Sequence, residues 1–251
     1  MFVMLCTLAL NARQGEKTKP PKSNDEIIQE LSNDPRYSYE DLLHGNPGAV
    51  ANAKKAFELS NDPLLKQRLA SILLAVGVKD KSYQIYLEHA AREALADKTP
   101  WPICYRDKEK YDWNPVFLEW CKKRDLDPLE TLKRVHYEVP APWTYLAAAG
   151  DPAFYKLLIE GLSSQNQYIV AMAARGLAKL QDSGAVDSLI AAGRRALPEG
   201  RFGIGESLLY FQDPKAQSAA DEFLAATVTK EHAENLRKAA REKGLKNLFD
   251  W

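Results

Sequence analysis

Residues 151–182 read DPAFYKLLIEGLSSQNQYIVAMAARGLAKLQD and contain two amphipathic helical patterns separated by a polar break. The aspartate that opens this stretch recurs as Asp182 and Asp213, at intervals of 31 residues. The apolar positions keep the same register, so that Leu177 corresponds to Leu208. A period held over successive units indicates a structural repeat, because one helix pair cannot bury its apolar face alone and neighbouring pairs must stack.

The recurring aspartates stand where helices are expected to begin. Asp151, Asp182 and Asp213 each precede an apolar pattern with three- and four-residue spacing, as N-cap residues do. Pro152 and Pro214 follow at the first helical position, where the missing N–H of proline costs nothing. The sequence therefore predicts an N-capped first helix in each unit and an alanine-rich second helix.

The Asp-Pro helix start, the alanine-rich segment AMAARGLAKLQD and the period resemble the HEAT-like repeat family, in its short phycobilisome-lyase-type form. The resemblance covers residues 151–250 and, less regularly, 47–97. It implies an all-α protein, a right-handed α-solenoid of HEAT-like helical pairs with one irregular aromatic-rich insertion. A tetratricopeptide-like array and an ordinary globular α protein are the alternatives.

The chain divides into five predicted segments. Residues 1–10 read MFVMLCTLAL, which has the length of a signal-peptide core, although no Lys or Arg precedes it. We therefore expect export to a periplasmic or secreted location in a bacterium, with a cytoplasmic protein as the alternative. The segments are 1–12, signal-peptide-like; 13–36, polar linker; 37–97, N-terminal helical repeats; 98–146, aromatic-rich insertion; and 147–251, C-terminal repeats with a capping helix.

The insertion breaks the period and contains four of the five tryptophans of the chain. Asn114-Pro115 and Asp127-Pro128 predict two short helices, at about 115–124 and 128–135. The aromatic residues admit two interpretations. They form either a recognition surface, since Trp and Tyr dominate binding hot spots, or a small satellite core packed against the repeats.

On the first interpretation, the insertion and the adjoining concave face of the repeats bind a partner protein. Trp101 and Trp113 are the preferred contacts, because each lies beside a proline or an Asn-Pro pair and outside the two helical stripes. Trp120 is assigned instead to the satellite core, with Phe117 and Cys121 on its helix face. The second choices for partner contacts are Tyr105, Arg106 and Tyr111.

Cys104 and Cys121 are the two cysteines that remain if the first twelve residues are removed. In an oxidising compartment an even number of cysteines favours a disulfide, which would restrain the irregular part of the insertion. Two buried free thiols are the equal alternative, because Cys121 also fits an apolar helix face.

Residues that would mark an enzyme are scattered. His44, His89, His136 and His232 show no metal-ligand spacing, so we assign no catalytic residue, metal or cofactor. The glycine run 200–205, GRFGIG, has no preceding strand and is interpreted as the turn into the second helix of a repeat. Lys and Arg together number 34 and balance 34 Asp and Glu, which argues against nucleic-acid binding.

The function expected from these features is a non-catalytic protein-binding scaffold or adaptor of the HEAT-repeat type in an exported compartment. One alternative is a lyase-like or chaperone protein that clasps a small ligand between insertion and solenoid. Another is a structural subunit of an envelope assembly. The charge balance indicates no nucleic-acid partner. The sequence also indicates no membrane span, because no apolar run approaches the roughly 20 residues that cross a bilayer.

The charged last helix is predicted to cap the stack. Leu236, Ala239, Ala240 and Leu245 provide one apolar stripe on an otherwise charged segment, as a terminal repeat requires. Deleting residues 228–251 should expose the preceding unit and cause aggregation, measured by light scattering and size-exclusion chromatography. A truncated chain that stays monomeric and as stable as the full chain would contradict the capping role.

Overall fold

The computed structural model describes residues 47–102, 104–107, 110–113 and 115–245. The predicted signal-like segment 1–12 and linker 13–36 lie outside these residues. Within them the chain is helical apart from one hairpin of two four-residue strands. The predicted helical class is therefore confirmed, with the hairpin as a correction, because strands this short leave too few alternating positions to be recognised in the sequence.

The elements are numbered here in chain order. The N-terminal helices are α1 Pro47–Leu59, α2 Pro63–Ala75 and α3 Lys81–Ala96. The next elements are β1 Cys104–Asp107, β2 Lys110–Trp113, α4 Pro115–Lys122, α5 Pro128–Lys133, a π-helical turn Arg134–Glu138 and α6 Ala141–Ala149. The remaining elements are a 3₁₀ turn Pro152–Phe154, α7 Tyr155–Gly161, α8 Gln167–Leu180, a 3₁₀ turn Ser183–Ala185, α9 Val186–Arg195, α10 Pro198–Leu208, α11 Pro214–Thr227 and α12 Lys230–Lys243.

The three recurring aspartates are N-caps, as predicted. The Asp151 carboxylate accepts a hydrogen bond from the Ala153 N–H at 2.9 Å, and Asp182 accepts one from the Gly184 N–H at 2.9 Å. Asp213 accepts from the Lys215 N–H at 2.7 Å. The first two caps open 3₁₀ turns that lead into α7 and α9, whereas Asp213 opens α11 directly.

Four of the helices form a row. Helices α2, α6, α8 and α10 lie side by side in this order, and each packs against the next. Helices α1, α3, α7 and α9 pack respectively against these four, and α11 packs against both α9 and α10. Helix α3 packs against α2 as well as α6, and the insertion lies between α3 and α6 along the chain.

Helix α6 belongs to the packed row although its first residues were counted in the predicted insertion. The Trp143 side chain is fully buried, and its Nε1 donates a hydrogen bond to the Ala91 carbonyl of α3 at 3.0 Å. Gly161 leaves the space for this ring, because a Cβ there would lie 2.3 Å from it. Trp143 and Tyr145 are therefore core residues, and the part of the insertion outside the row ends at Pro140.

Close approach of α8 and α10 depends on the glycine run 200–205. This run lies inside α10 and not in a turn leading to it, as the sequence had suggested. A Cβ on Gly203 would lie 2.4 Å from the Cβ of Ala171, so only glycine fits at this crossing. The run therefore serves helix packing, because small residues let two helix backbones approach each other.

The 31-residue period reappears as contacts between equivalent positions of neighbouring units. Arg175 of α8 donates from Nε and from one terminal nitrogen to Oε2 of Glu206 in α10, at 3.1 and 2.7 Å. The Lys179 ammonium donates to the Ala148 carbonyl, again 31 residues away. Successive helices of the row are therefore stacked in register by polar contacts as well as by apolar packing.

Helix α12 has the predicted apolar stripe. Ala233 is buried, and Leu236, Ala240 and Leu245 are partly buried against the core. Its neighbour in the structure is α11. This arrangement places one apolar side on the stack and leaves the charged side in solvent, in agreement with the expected composition of a cap.

The Arg175–Glu206 ion pair generates a prediction, because the two side chains are only 12 % and 10 % exposed. Arg175→Met or Glu206→Leu alone should lower the free energy of unfolding by about 3–5 kcal/mol, since each leaves one buried charge uncompensated. The double variant should lie within about 1 kcal/mol of the unaltered chain. Urea denaturation measures all three, and single variants with unchanged stability would show that the pair is solvated.

Candidate functional site

The candidate site lies where the insertion meets the packed helices. The insertion begins with the hairpin, in which Cys104 pairs with Trp113 and Arg106 with Tyr111 in antiparallel register. The side chains of these residues and of Tyr105 lie outside the description. Among the predicted partner contacts, only Trp101 can therefore be compared with the structure, and the others stay predictions.

Trp101 is buried, so the expectation that its side chain is exposed is wrong. The side chain is 5 % exposed. Its ring stacks on His136 at a centroid distance of 4.8 Å and meets the Tyr168 ring edge-on at 5.4 Å. The flanking prolines keep Trp101 out of a helix, as the sequence indicated, but the ring packs against side chains far away in the sequence. Trp101 is thus a buried residue that packs against His136 and Tyr168 of the site.

The two short helices of the insertion are found as predicted, and part of the satellite core is confirmed. Phe117, Cys121 and Val135 are buried, whereas Trp120 is half-buried, with the Arg124 guanidinium 4.3 Å above its ring. Cys121 is a free cysteine in the structure. Its pairing with Cys104 stays a prediction for the oxidised protein.

The π-helical turn Arg134–Glu138 is held at its first two residues by side-chain hydrogen bonds. The Asn166 side-chain amide donates to the Val135 carbonyl at 2.9 Å, and the same side chain caps α8 by accepting from the Tyr168 N–H at 3.0 Å. The Arg134 guanidinium pairs with Asp97 and donates to Thr99 Oγ1. Turns of this kind occur often at functional sites, and here the turn presents His136 and Tyr137 beside the start of α8.

Four aromatic side chains meet at this point, and we call them the junction cluster: Trp101, His136, Tyr137 and Tyr168. The His136 ring lies 4.9 Å from Tyr168 and 6.3 Å from Tyr137, measured between ring centroids. Burial lowers the pKa of His136, so its neutral form is favoured.

Two polar atoms at or beside the junction cluster are buried without a hydrogen-bond partner among the described residues. They are Nε2 of His136 and Oε2 of Glu199, which stands near the start of α10. The pKa of Tyr168 is raised, first by burial and then by the charges of Tyr137 and Glu199. The start of α10 lies beside the start of α8, because the Leu197 N–H donates to Oε1 of Gln167 at 2.9 Å. Tyr168 directly follows Gln167, and Glu199 follows Leu197 two positions later. Sequence reasoning missed Tyr168 and Glu199, because each follows a repeat break and resembles an ordinary helix start.

The insertion also exposes apolar side chains. Nine large apolar side chains are exposed in the described part of the chain, and five of them lie between residues 116 and 137. Leu129 is 59 % exposed and Tyr137 is 74 % exposed. Concentrated exposed apolar surface marks interaction sites. The five residues are Val116, Leu118, Leu126, Leu129 and Tyr137.

The described residues also line an open cleft of about 530 Å³, far along the chain from the insertion. It lies between the ends of α8 and α10 and the last two helices, with Asp221, Arg237 and Arg241 among its lining. Asp221 Oδ1 accepts from Arg237 at 2.6 Å. The cleft includes no residue of the insertion.

In the part of the chain that the structure describes, no group of three or more His, Cys, Asp or Glu side chains is arranged to hold a metal ion. No described helix combines the length and the apolar run that a bilayer crossing needs. Comparison with protein-family models, with curated proteins and with solved structures finds no match.

The buried position of Trp101 generates a prediction about stability. Trp101→Ala should lower the free energy of unfolding by about 3–5 kcal/mol, because it empties a filled aromatic site. Trp120→Ala should cost less, since Trp120 is half-buried. Thermal and urea unfolding of both variants measure this difference. A Trp101→Ala variant as stable as the unaltered chain would show that the Trp101 side chain is not buried.

Proposed function

We propose that this protein is a non-catalytic scaffold or adaptor: a HEAT-like α-solenoid that binds a partner protein through its insertion. The row of helices α2, α6, α8 and α10 and the polar contacts between positions 31 residues apart support the solenoid. The location in an exported compartment rests on residues 1–12 alone.

The observation that carries the proposal is the contrast within the insertion. Trp101, Phe117 and Val135 are buried and hold the segment together, while five large apolar side chains on the same segment face solvent. A surface loop with no partner has no reason to gather so many exposed apolar groups, because each costs free energy in water.

A protein fits this surface better than a small molecule does. Ligand pockets are concave and bury most of the ligand, whereas the exposed apolar residues here are spread over α4, α5 and the turn between them. A protein interface needs such an apolar centre with charged residues around it. Glu119 on α4 and Lys123, which directly follows this helix, form one such exposed pair. The lyase-like alternative draws no support from the cleft, which lies at the last helices.

The test uses the full chain as bait and a matched pair of variants. Leu126→Asp/Leu129→Asp alters the insertion, and Ile85→Asp alters α3, where Ile85 is 65 % exposed and lies outside the insertion. A stoichiometric partner is isolated from extracts of the source cells, and its affinity for each purified variant is measured by calorimetry. We expect the double variant to weaken binding about 30-fold or more, as loss of hot-spot residues does, while Ile85→Asp leaves it unchanged.

Both variants should keep the melting temperature, because the altered side chains are exposed. A partner that binds all variants equally contradicts the insertion as the binding surface. A small molecule that co-purifies in stoichiometric amount, with no protein partner, favours the lyase-like alternative. A large stable assembly built around the chain favours the structural subunit.

A further inference from the structure

Several groups at and beside the junction cluster attract the same kind of ligand. Tyr137 and Tyr168 are 74 % and 36 % exposed, and aromatic ring faces are electron-rich. The Glu199 carboxylate holds a buried oxygen that lacks a hydrogen-bond donor among the described residues. A cation that donates N–H groups would satisfy both the rings and the carboxylate.

Several basic side chains on the surrounding elements are already engaged. Arg134 in the π-helical turn pairs with Asp97, and Lys133 at the end of α5 pairs with Glu130 at 2.6 Å. On α8, which begins beside the cluster, Arg175 pairs with Glu206. Glu199 forms no ion pair with any described residue, so its charge is left for a group from outside the chain.

We propose that the junction cluster binds an arginine side chain of the partner protein. Arginine suits it better than lysine, because the planar guanidinium stacks on tyrosine rings and carries several donors in a fixed fork. An ammonium is instead a point charge with no such fork. This inference rests on the proposed function, and it gives the docked partner a basic residue beside the apolar groups that meet Leu126 and Leu129.

Access to the cluster runs past Tyr168. The polar atoms of His136 and Glu199 are shielded from solvent in the unbound chain. Tyr168 is half-buried and its ring lies 4.9 Å from that of His136, so rotation of the Tyr168 ring would open the way into the cluster. Rotation of partly exposed side chains is fast, and its free-energy cost reduces the affinity for an isolated ligand. We therefore expect weak binding of arginine alone and useful binding only within a larger interface.

The test titrates the full chain with N-acetyl-arginine amide and, separately, with the uncharged isostere N-acetyl-citrulline amide. Binding is followed by shifts of backbone amide and indole signals in nuclear magnetic resonance spectra at low salt. We expect a dissociation constant of about 1–10 mM for the arginine compound, and at least about tenfold weaker binding of the citrulline compound. The shifts should centre on residues 136–138 and 167–169.

Variants separate the cluster from general attraction of cations. Glu199→Gln and Tyr137→Ala should each weaken arginine binding about two- to fivefold, the usual effect of one charge or one exposed ring. Glu231→Gln on α12 is the matched control, since it removes one exposed acid elsewhere and should change nothing. Equal binding of the two compounds, or equal effects of Glu199→Gln and Glu231→Gln, overturns the arginine site.

The failure of this inference differs from the failure of the proposed function. If arginine does not bind but Leu126→Asp/Leu129→Asp still loses the partner, the chemistry assigned to the partner is wrong and the docking surface stands. If the partner binds the double variant normally, the proposed function itself fails, whatever the arginine titration shows.

Discussion

The close approach of α8 and α10 is the contact on which the arrangement of the described chain depends. Gly203 lies so near Ala171 that a single methyl group on it would overlap, and the Arg175–Glu206 pair closes beside the same two helices. The glycine contact determines how near the helices come, and the ion pair determines how far one can slide along the other. Because α8 also packs on α6 and α10 also packs on α11, a change in either contact would be transmitted to the neighbours on both sides.

The insertion uses the same framework without following its period. The insertion begins after α3 and ends at α6. Both of these helices are packed against others, so both ends of the insertion are fixed. Between these ends, Trp101 packs on His136 and Tyr168, and Arg134 reaches back to Asp97. The segment can therefore carry exposed leucines on short helices, because its orientation comes from buried contacts made elsewhere along it.

Local signals in the sequence predicted local features well. An aspartate cap needs only the side-chain oxygen of one residue and the N–H groups two or three residues later. The position of the aspartate before the helical pattern is therefore enough to identify the cap. The two helices of the insertion follow from Asn-Pro and Asp-Pro pairs in the same way. The period indicated stacking, and the polar contacts between positions 31 residues apart show which residues meet when the units stack.

The burial of Trp101 and the composition of the junction cluster could not be predicted in this way. Trp101 meets His136 and Tyr168 only because the chain folds back over α8, and no spacing rule links residues 35 and 67 positions apart. Glu199, beside the cluster, belongs to another helix pair, and in the sequence it resembles an ordinary acidic residue in the first turn of a helix. Such a cluster is a property of the tertiary contacts, and only the fold brings it together.

The Asn166 side chain connects the start of α8 to the insertion by hydrogen bonds to both. Its carbonyl oxygen caps α8, while its amide nitrogen holds the π-helical turn of the insertion. The first turn of α8 and the segment that carries His136 and Tyr137 therefore share one side chain, and neither can open without releasing the other. In amide hydrogen exchange these two segments would behave as one cooperative unit, although 31 residues separate their hydrogen-bonded atoms along the chain. A mutation that loosens the helix start would thus alter the proposed binding surface without touching it.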